Sequence, residues 1–119
     1  MDKPWPLELV LSRAQRILKV MFDDGSAFDL PAEYLRVHSP SAEVQGHSAA
    51  ERKTVGGKRA VGIAAVEPVG NYAVRLVFDD GHDTGIFSWS YLHELGRQQP
   101  SRWKDYLAEL DRKGLRRDP

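Results

Sequence analysis

The chain has 119 residues, with 17 basic side chains balanced by 17 acidic ones, and it contains no cysteine. This length fits a single domain over residues 1–119. The zero net charge gives no overall field to attract nucleic acid or an anionic membrane, and the lack of cysteine excludes disulfides, thiolate metal ligands and cysteine nucleophiles. No apolar stretch approaches the ~20 residues that span a bilayer, and no signal-peptide pattern opens the chain. We therefore expect a cytoplasmic protein.

The first third of the chain predicts three short strands followed by a helix. Strand patterns occupy residues 7–12, 15–22 and 27–30. Asp23-Asp24-Gly25 separates the last two strands, because glycine accepts the positive φ that a tight hairpin turn requires. We predict that a short helix begins at Pro31, whose missing N–H has no partner in a first helical turn anyway, and that Pro40 stops it.

Residues 38–60 form a long polar stretch that is rich in glycine and serine and poor in large apolar residues. A loop of this length inside a domain is usually either functional or disordered. Gly56-Gly57-Lys58-Arg59 lacks the earlier glycine and the following Ser or Thr of a phosphate-binding loop. Its two cations could still attract an anion weakly.

The stretch 72–96 carries the clearest pattern in the sequence. Strands are predicted at 61–69, 72–78 and 84–87, with a second Asp-Asp-Gly turn at 79–81. Ser88 is placed to cap a helix that begins at Trp89, and we predict that Gly96 ends this helix in a left-handed conformation.

A last amphipathic helix has Trp103, Tyr106 and Leu110 on one face. Gln99 or Ser101 is predicted to cap it, and Gly114 to end it. Residues 115–119 are predicted to be a flexible basic tail.

Two stretches of the chain are alike: LKVMFDDG at 18–25 matches VRLVFDDG at 74–81, and each precedes a short strand and a helix. One hairpin design used twice explains the repeat. We predict an α+β fold with a small, mainly antiparallel sheet built from two strand-turn-strand-helix units, plus a C-terminal amphipathic helix.

Histidines are the main candidates for chemistry. None is followed two residues later by an acid, so the spacing of a ferrous oxygenase triad is absent. His38, His47 and His82 could meet in space around a metal ion, with Asp80 or Asp83 as a fourth ligand, or they could simply be solvated. No Gly-x-Ser-x-Gly elbow is present, and the Asp-Asp pairs suit turns for structural reasons. We therefore identify no catalytic residues.

Several motifs together resemble a known family. They are LRVHSPSAEVQGH at 35–47, GKR at 57–59, VGI at 61–63, EPVGNYAV at 67–74 and FDDGHDTGIFSW at 78–89. The chain resembles the small bacterial proteins of the DUF971 family, which is similar to the N-terminal domain of γ-butyrobetaine hydroxylase. The resemblance spans residues 7–110 and implies an accessory domain without the oxygenase domain. The same module also occurs appended to P-loop ATPases of the iron–sulfur cluster carrier type.

The resemblance also implies where a metal site would lie. The family's zinc is held by one histidine, at the position of His82, and by three cysteines, at the positions of Ser39, Ser41 and Val44. A serine hydroxyl does not replace a thiolate for zinc, and valine cannot ligate. The zinc site is therefore expected to be lost, with no cofactor, and His82 is expected to bond to the loop at 39–41.

The combined expectation is a non-catalytic accessory or adaptor domain. Its partner would be a protein of iron–sulfur cluster or 2-oxoglutarate oxygenase systems, and the resemblance also allows a homodimer; no nucleic acid or membrane partner is expected. The alternative is a zinc- or iron-binding protein that uses His82 with His38 and His47. A small enzyme would need a cleft with converging groups.

Overall fold

The computed structural model describes residues 4–40 and 54–119. Its elements in chain order are β1 (Pro6–Ser12), β2 (Ile17–Phe22), β3 (Ala27–Pro31), α1 (Ala32–Val37), β4 (Ile63–Val69), β5 (Ala73–Phe78), β6 (Gly85–Ser88), α2 (Trp89–Arg97) and α3 (Gln99–Arg112). These bounds confirm the predicted α+β class. Within the described residues, no helix is long and apolar enough to cross a membrane.

The strands form two antiparallel sheets of three, in the orders β1-β2-β3 and β4-β5-β6, and not one sheet. The three strands of each half form a meander connected by short turns. β3 and β6 run directly into helices, so neither half supplies a further strand to the sheet of the other half. Alternate residues of the central strands point inward, as period two requires. The main core is shared by both sheets, α1 and α2, and its fully buried members include Leu18, Phe22, Leu35, Leu76 and Leu92. A smaller buried cluster of Val37, Tyr106 and Leu110 lies under α3.

The two halves repeat each other in backbone detail. The Phe22 N–H donates to the Ser26 carbonyl at 2.8 Å, and the Phe78 N–H donates to the His82 carbonyl at 2.9 Å. The glycine of each turn has positive φ, 89° in the first and 92° in the second. Both Asp-Asp-Gly predictions are therefore confirmed, and the sequence repeat is a structural repeat.

Each helix that follows a hairpin reaches across to the other half. The buried Tyr34 hydroxyl, on α1, donates to the Leu95 carbonyl on α2 at 2.7 Å. The equivalent Tyr91 hydroxyl, on α2, donates to the His38 carbonyl at the end of α1 at 2.5 Å. Burial raises the pKa of Tyr34 well above its usual range, so this phenol remains a donor at any physiological pH.

The central aspartate of each turn also contacts the helix of the other half. Asp24, in the first turn, lies 2.8 Å from the Nε2 atom of His93 on α2. Asp80, in the second turn, accepts from the Nε atom of Arg36 on α1 at 2.8 Å. Arg36 and His93 occupy equivalent positions after Tyr34-Leu35 and Tyr91-Leu92. The helix of each half therefore fixes the turn of the other half.

The predicted helix ends were only partly correct. The Ser88 cap is confirmed, since its hydroxyl accepts from the Tyr91 N–H at 3.1 Å. The prediction for Gly96 is wrong: α2 continues through this glycine, which has no positive φ and sits directly against the ring of Phe28. The cap predicted for α3 is also wrong, because Gln98 occupies the cap position and makes no side-chain cap bond. Gly114, at φ 68°, does end the last helix.

Substitution of Gly96 by alanine tests the close approach of α2 to β3. In an open helix this change would stabilise the protein by about 0.5–1 kcal/mol. Here the new Cβ would meet the ring atoms of Phe28, so we expect a loss of about 1–3 kcal/mol in the free energy of unfolding, as overpacking produces. Urea denaturation measures it, and adding Phe28→Leu should restore part of the loss. Stabilisation by Gly96→Ala would contradict this packing.

The turn aspartates predict a specific acid sensitivity. The hydroxyl and backbone N–H of Ser26, followed by His93, lower the pKa of Asp24 to about 2. Burial raises the pKa of Asp80, but hydrogen bonds from Lys58, the His82 N–H and Arg36 outweigh it and lower that pKa to about 2 as well. Both folded-state values lie below the unfolded value of about 3.9.

The contribution of these carboxylates to stability is therefore fully present above about pH 4 and is lost as the pH falls through about 2. Urea midpoints measured between these limits should decline less steeply in Asp80→Asn than in the wild type. The exposed Asp29→Asn variant removes the same charge and should keep the wild-type slope. Equal slopes for wild type and Asp80→Asn would show that the turn contacts do not hold the carboxylate in solution.

Candidate functional site

The two halves differ at one corner, where each helix end meets the third strand of a sheet. In the first half the residue on the strand is Phe28, opposite Val20, and in the second half it is Gly85, opposite Leu76. The residue from the helix end of the other half is Gly96 of α2 at the corner of Phe28, and Ser39, after α1, at the corner of Gly85. At the first corner a large aromatic ring therefore packs over a glycine, whereas at the second corner a small hydroxyl packs over a glycine.

Space explains why the two positions change together. The ring of Phe28 covers Gly96 so closely that a Cβ there would collide with it. At the other corner, Gly85 has no Cβ, and this leaves room for Ser39 and for the nearby ring of Phe87. A Cβ at this position would clash with the Oγ atom of Ser39. Gly85 has no positive φ, so its role is to open this space and not to make a turn.

The space opened by Gly85 holds a buried polar pair, Ser39 and His82. The Oγ atom of Ser39 lies 2.9 Å from the Nε2 atom of His82. Ser39 has no exposed surface and His82 is 6% exposed. The imidazole also packs against Phe78, with ring centroids 5.9 Å apart. In the first half the residue equivalent to His82 is Ser26, so this imidazole is a second departure from the repeat.

Asp80, Lys58 and Arg36 form a charged cluster, the charged brace, that fixes the turn carrying His82. The Asp80 carboxylate accepts from the His82 N–H at 3.1 Å, from Lys58 at 2.6 Å and from Arg36 at 2.8 Å. The Nη1 atom of Arg36 is buried and has no hydrogen-bond partner in the described part of the chain. Two cations thus surround one carboxylate, and this keeps Asp80 ionised and the turn that carries His82 rigid.

The predicted site residues fall into three groups. His82 and Ser39 come together, as the family resemblance implied for the loop at 39–41. The His38 ring lies elsewhere: its Nδ1–H donates to the Tyr34 carbonyl at 2.9 Å, and the ring packs on Tyr34 with centroids 4.7 Å apart. His47, Ser41 and Val44 lie outside the described residues.

The described donors do not fit the zinc clamp of the family that the sequence resembles. Ser39 offers a hydroxyl that is hydrogen-bonded to His82, and a neutral hydroxyl is a poor substitute for a thiolate on zinc. Within residues 4–40 and 54–119, no three His, Cys, Asp or Glu side chains are grouped to hold a metal ion. The histidine metal site with His38 and His47 stays a prediction.

Sequence reasoning missed Arg36, and it left open a weak attraction of an anion by Lys58 and Arg59. Both cations are paired with carboxylates instead, Lys58 with Asp80 and Arg59 with Asp118 at 2.6 Å. The repeat contained the signal for Arg36. Extending the match from the hairpins into the helices would have aligned Arg36 with His93, and Ser39 with Gly96.

Comparison with known proteins agrees with this geometry. The family model described as "Gamma-butyrobetaine hydroxylase-like, N-terminal" matches residues 9–93. A comparison with curated proteins gave no match.

Solved structures give close matches over nearly the whole chain. One protein solved by NMR in solution is 48% identical, with a TM-score of 0.87, covering 99% of this chain and 93% of its own. A second NMR structure is 49% identical, with a TM-score of 0.85, covering 99% of this chain and 88% of its own.

A crystal structure at 1.93 Å resolution shows a protein of unknown function from Acidithiobacillus ferrooxidans ATCC 23270, a member of the DUF971 family. It is 42% identical, with a TM-score of 0.65, and covers 76% of this chain and 91% of its own. The family match covers both hairpins and both aspartate turns, including the corner of Ser39, His82 and Gly85. The chain therefore belongs to the γ-butyrobetaine hydroxylase-like N-terminal domain family, DUF971.

Proposed function

We propose that this domain is a non-catalytic accessory module that binds a protein partner at the surface above the buried corner formed by Ser39, His82 and Gly85. The exposed Asp83 and Thr84, together with the half-buried Pro40, form the rim of this corner. The partner would belong to iron–sulfur cluster or 2-oxoglutarate oxygenase systems.

The observation that carries the proposal is the departure from the repeat at this corner. The equivalent corner, at Phe28 and Gly96, shows that this backbone can fill the same space with an aromatic ring packed against a glycine. Apolar packing of that kind stabilises a core without desolvating polar groups. The second half instead buries an imidazole and a hydroxyl, a choice that stability alone does not favour. Selection for recognition accounts for it.

The charged brace supports the same reading. A recognition surface binds more tightly when its groups are already fixed before the partner arrives, because less ordering is needed on binding. The buried His82 fixes the exposed rim that follows it, since Asp80 holds its backbone and Ser39 holds its ring.

The choice of partner class rests on the family. Its name links the domain to a hydroxylase, and the module resembles the appendage of iron–sulfur carrier ATPases. A domain joined covalently to such enzymes in some proteins is a natural binding partner for proteins of the same systems.

A variant that closes the corner tests the proposal. Ser39→Gly, His82→Ser, Gly85→Phe and Phe87→Leu together give this corner the residues found at the four equivalent positions of the other corner, Gly96, Ser26, Phe28 and Leu30. We expect this variant to fold, because the other corner packs this way. In affinity capture from the source organism's lysate, the wild type should enrich an iron–sulfur carrier ATPase or a 2-oxoglutarate oxygenase at least tenfold over the variant. Purified partner and calorimetry then measure the affinity directly.

The control introduces an imidazole at the equivalent point of the first half, as Ser26→His. Ser26 is half-buried and its hydroxyl contacts Asp24, so this change perturbs the first turn but leaves Ser39, His82 and Gly85 intact. The folded control should capture the partner as well as the wild type does. The proposal is wrong if the closed variant, shown to be folded by circular dichroism, retains the same partner, or if neither enzyme class is enriched by the wild type.

Metal content decides the alternative of a histidine metal site. Untagged protein should contain far less than one equivalent of zinc or iron by elemental analysis, and His82→Gln should not change that value, because a hydroxyl and an imidazole make a weak site. One equivalent of metal that His82→Gln removes would favour the metal-binding function over the adaptor function.

A further inference from the structure

The C-terminal residues lie in a slot apart from the corner of Ser39 and His82. Arg117 forms a two-pronged contact with Glu33 on α1, with its Nε atom 2.9 Å from Oε2 and its Nη2 atom 2.7 Å from Oε1. Its guanidinium carbon lies 5.1 Å from the ring centroid of Trp103 on α3. A carboxylate beside an aromatic face is the arrangement that recognises a guanidinium in other proteins.

The backbone of the tail is held by polar contacts. The Gly57 N–H donates to the Arg116 carbonyl at 2.8 Å, and the Arg59 N–H donates to the Arg117 carbonyl at 3.0 Å. The tail side chains other than Arg117 are exposed, so the tail buries little apolar surface. Attachment of this kind is weak enough to exchange, because it lacks the apolar burial that anchors a core segment.

Glu33 makes that exchange selective. Its side chain is 8% exposed, and within the described residues Arg117 is its ion-pair partner. Removing one member of a buried pair leaves an uncompensated charge, which is strongly unfavourable. The tail can therefore leave only when another cation replaces it. Lysine cannot reproduce two parallel bonds to one carboxylate, so the replacement must carry a guanidinium.

We propose that this slot, defined by Glu33, Trp103 and the N–H groups of Gly57 and Arg59, binds an arginine in an extended segment of a partner protein. The chain's own tail occupies the slot until that segment displaces it. An adjoining cavity of about 600 Å³, lined by Tyr34, Pro31 and Pro100 among others, has room for an apolar side chain next to that arginine. The slot does not depend on the corner at His82, so either proposal can fail alone.

The test uses the chain with Arg117→Gln, which removes the guanidinium from the slot and weakens the hold on the tail, and the capped pentapeptide Leu-Arg-Arg-Asp-Pro as the probe. Saturable changes in the indole NMR signal of Trp103 should report binding. The matched control Arg116→Gln leaves Arg117 in place and should bind the probe at least tenfold more weakly. Adding Glu33→Gln to Arg117→Gln, or replacing the second arginine of the peptide by lysine, should weaken binding by a similar factor.

No saturable binding by folded Arg117→Gln, or equal binding of the arginine and lysine peptides, would show that the tail is only structural. If Arg117→Gln does not fold, the wild type still decides the matter. Excess arginine peptide should then shift the Arg117 Nε–H signal towards its solvent-exposed position, while the lysine peptide should not. An unmoved signal with both peptides would overturn the proposal.

Discussion

The structure depends on the reciprocal contact between the two hairpin turns and the two helices that follow them. Asp24 is held by His93 from the second half, and Asp80 is held by Arg36 from the first half. The paired tyrosines, Tyr34 and Tyr91, cross between the halves in the same manner. Each turn closes through backbone bonds of its own half, but its aspartate is also held by the helix of the other half, so we expect the halves to fold together. This arrangement joins two separate sheets over one main core.

The repeated scaffold separates the residues that both halves share from those that occur in only one of them. Where the halves agree, as at the turns and the crossing tyrosines, the residues serve the fold. The halves differ at Phe28 against Gly85 and at Gly96 against Ser39. The corner of Phe28 and Gly96 shows that this backbone accommodates purely apolar packing, which the corner of Ser39 and Gly85 lacks. The difference is concentrated beside His82 and its charged brace. One half therefore preserves packing and the other holds the polar pair proposed for recognition.

Local sequence patterns predicted what local chemistry decides. The Asp-Asp-Gly turns, the Ser88 cap and the Gly114 helix end were all readable, because each depends on a few adjacent residues. Gly96 was misread because glycine permits both a left-handed φ and a close approach, and only the position of Phe28 decides between them.

The long-range pairings could not be predicted from the sequence, for a related reason. The division into two sheets depends on which strands pair, and period two does not specify a partner. The ion pair of Arg36 and Asp80 joins residues 44 positions apart. Ser39 and His82 could be placed together only through the family resemblance, since nothing in their local sequence draws them into contact.

Native-state hydrogen exchange tests the central claim, that reciprocal docking makes the two halves one cooperative unit. The slowest amides of β2 and β5, the central strands of the two sheets, should exchange with the same opening free energy and the same dependence on low denaturant concentrations, because neither sheet keeps its turn fixed once the other is lost. Exchange of one sheet through an opening of distinctly lower free energy, while the other remains protected, would contradict it.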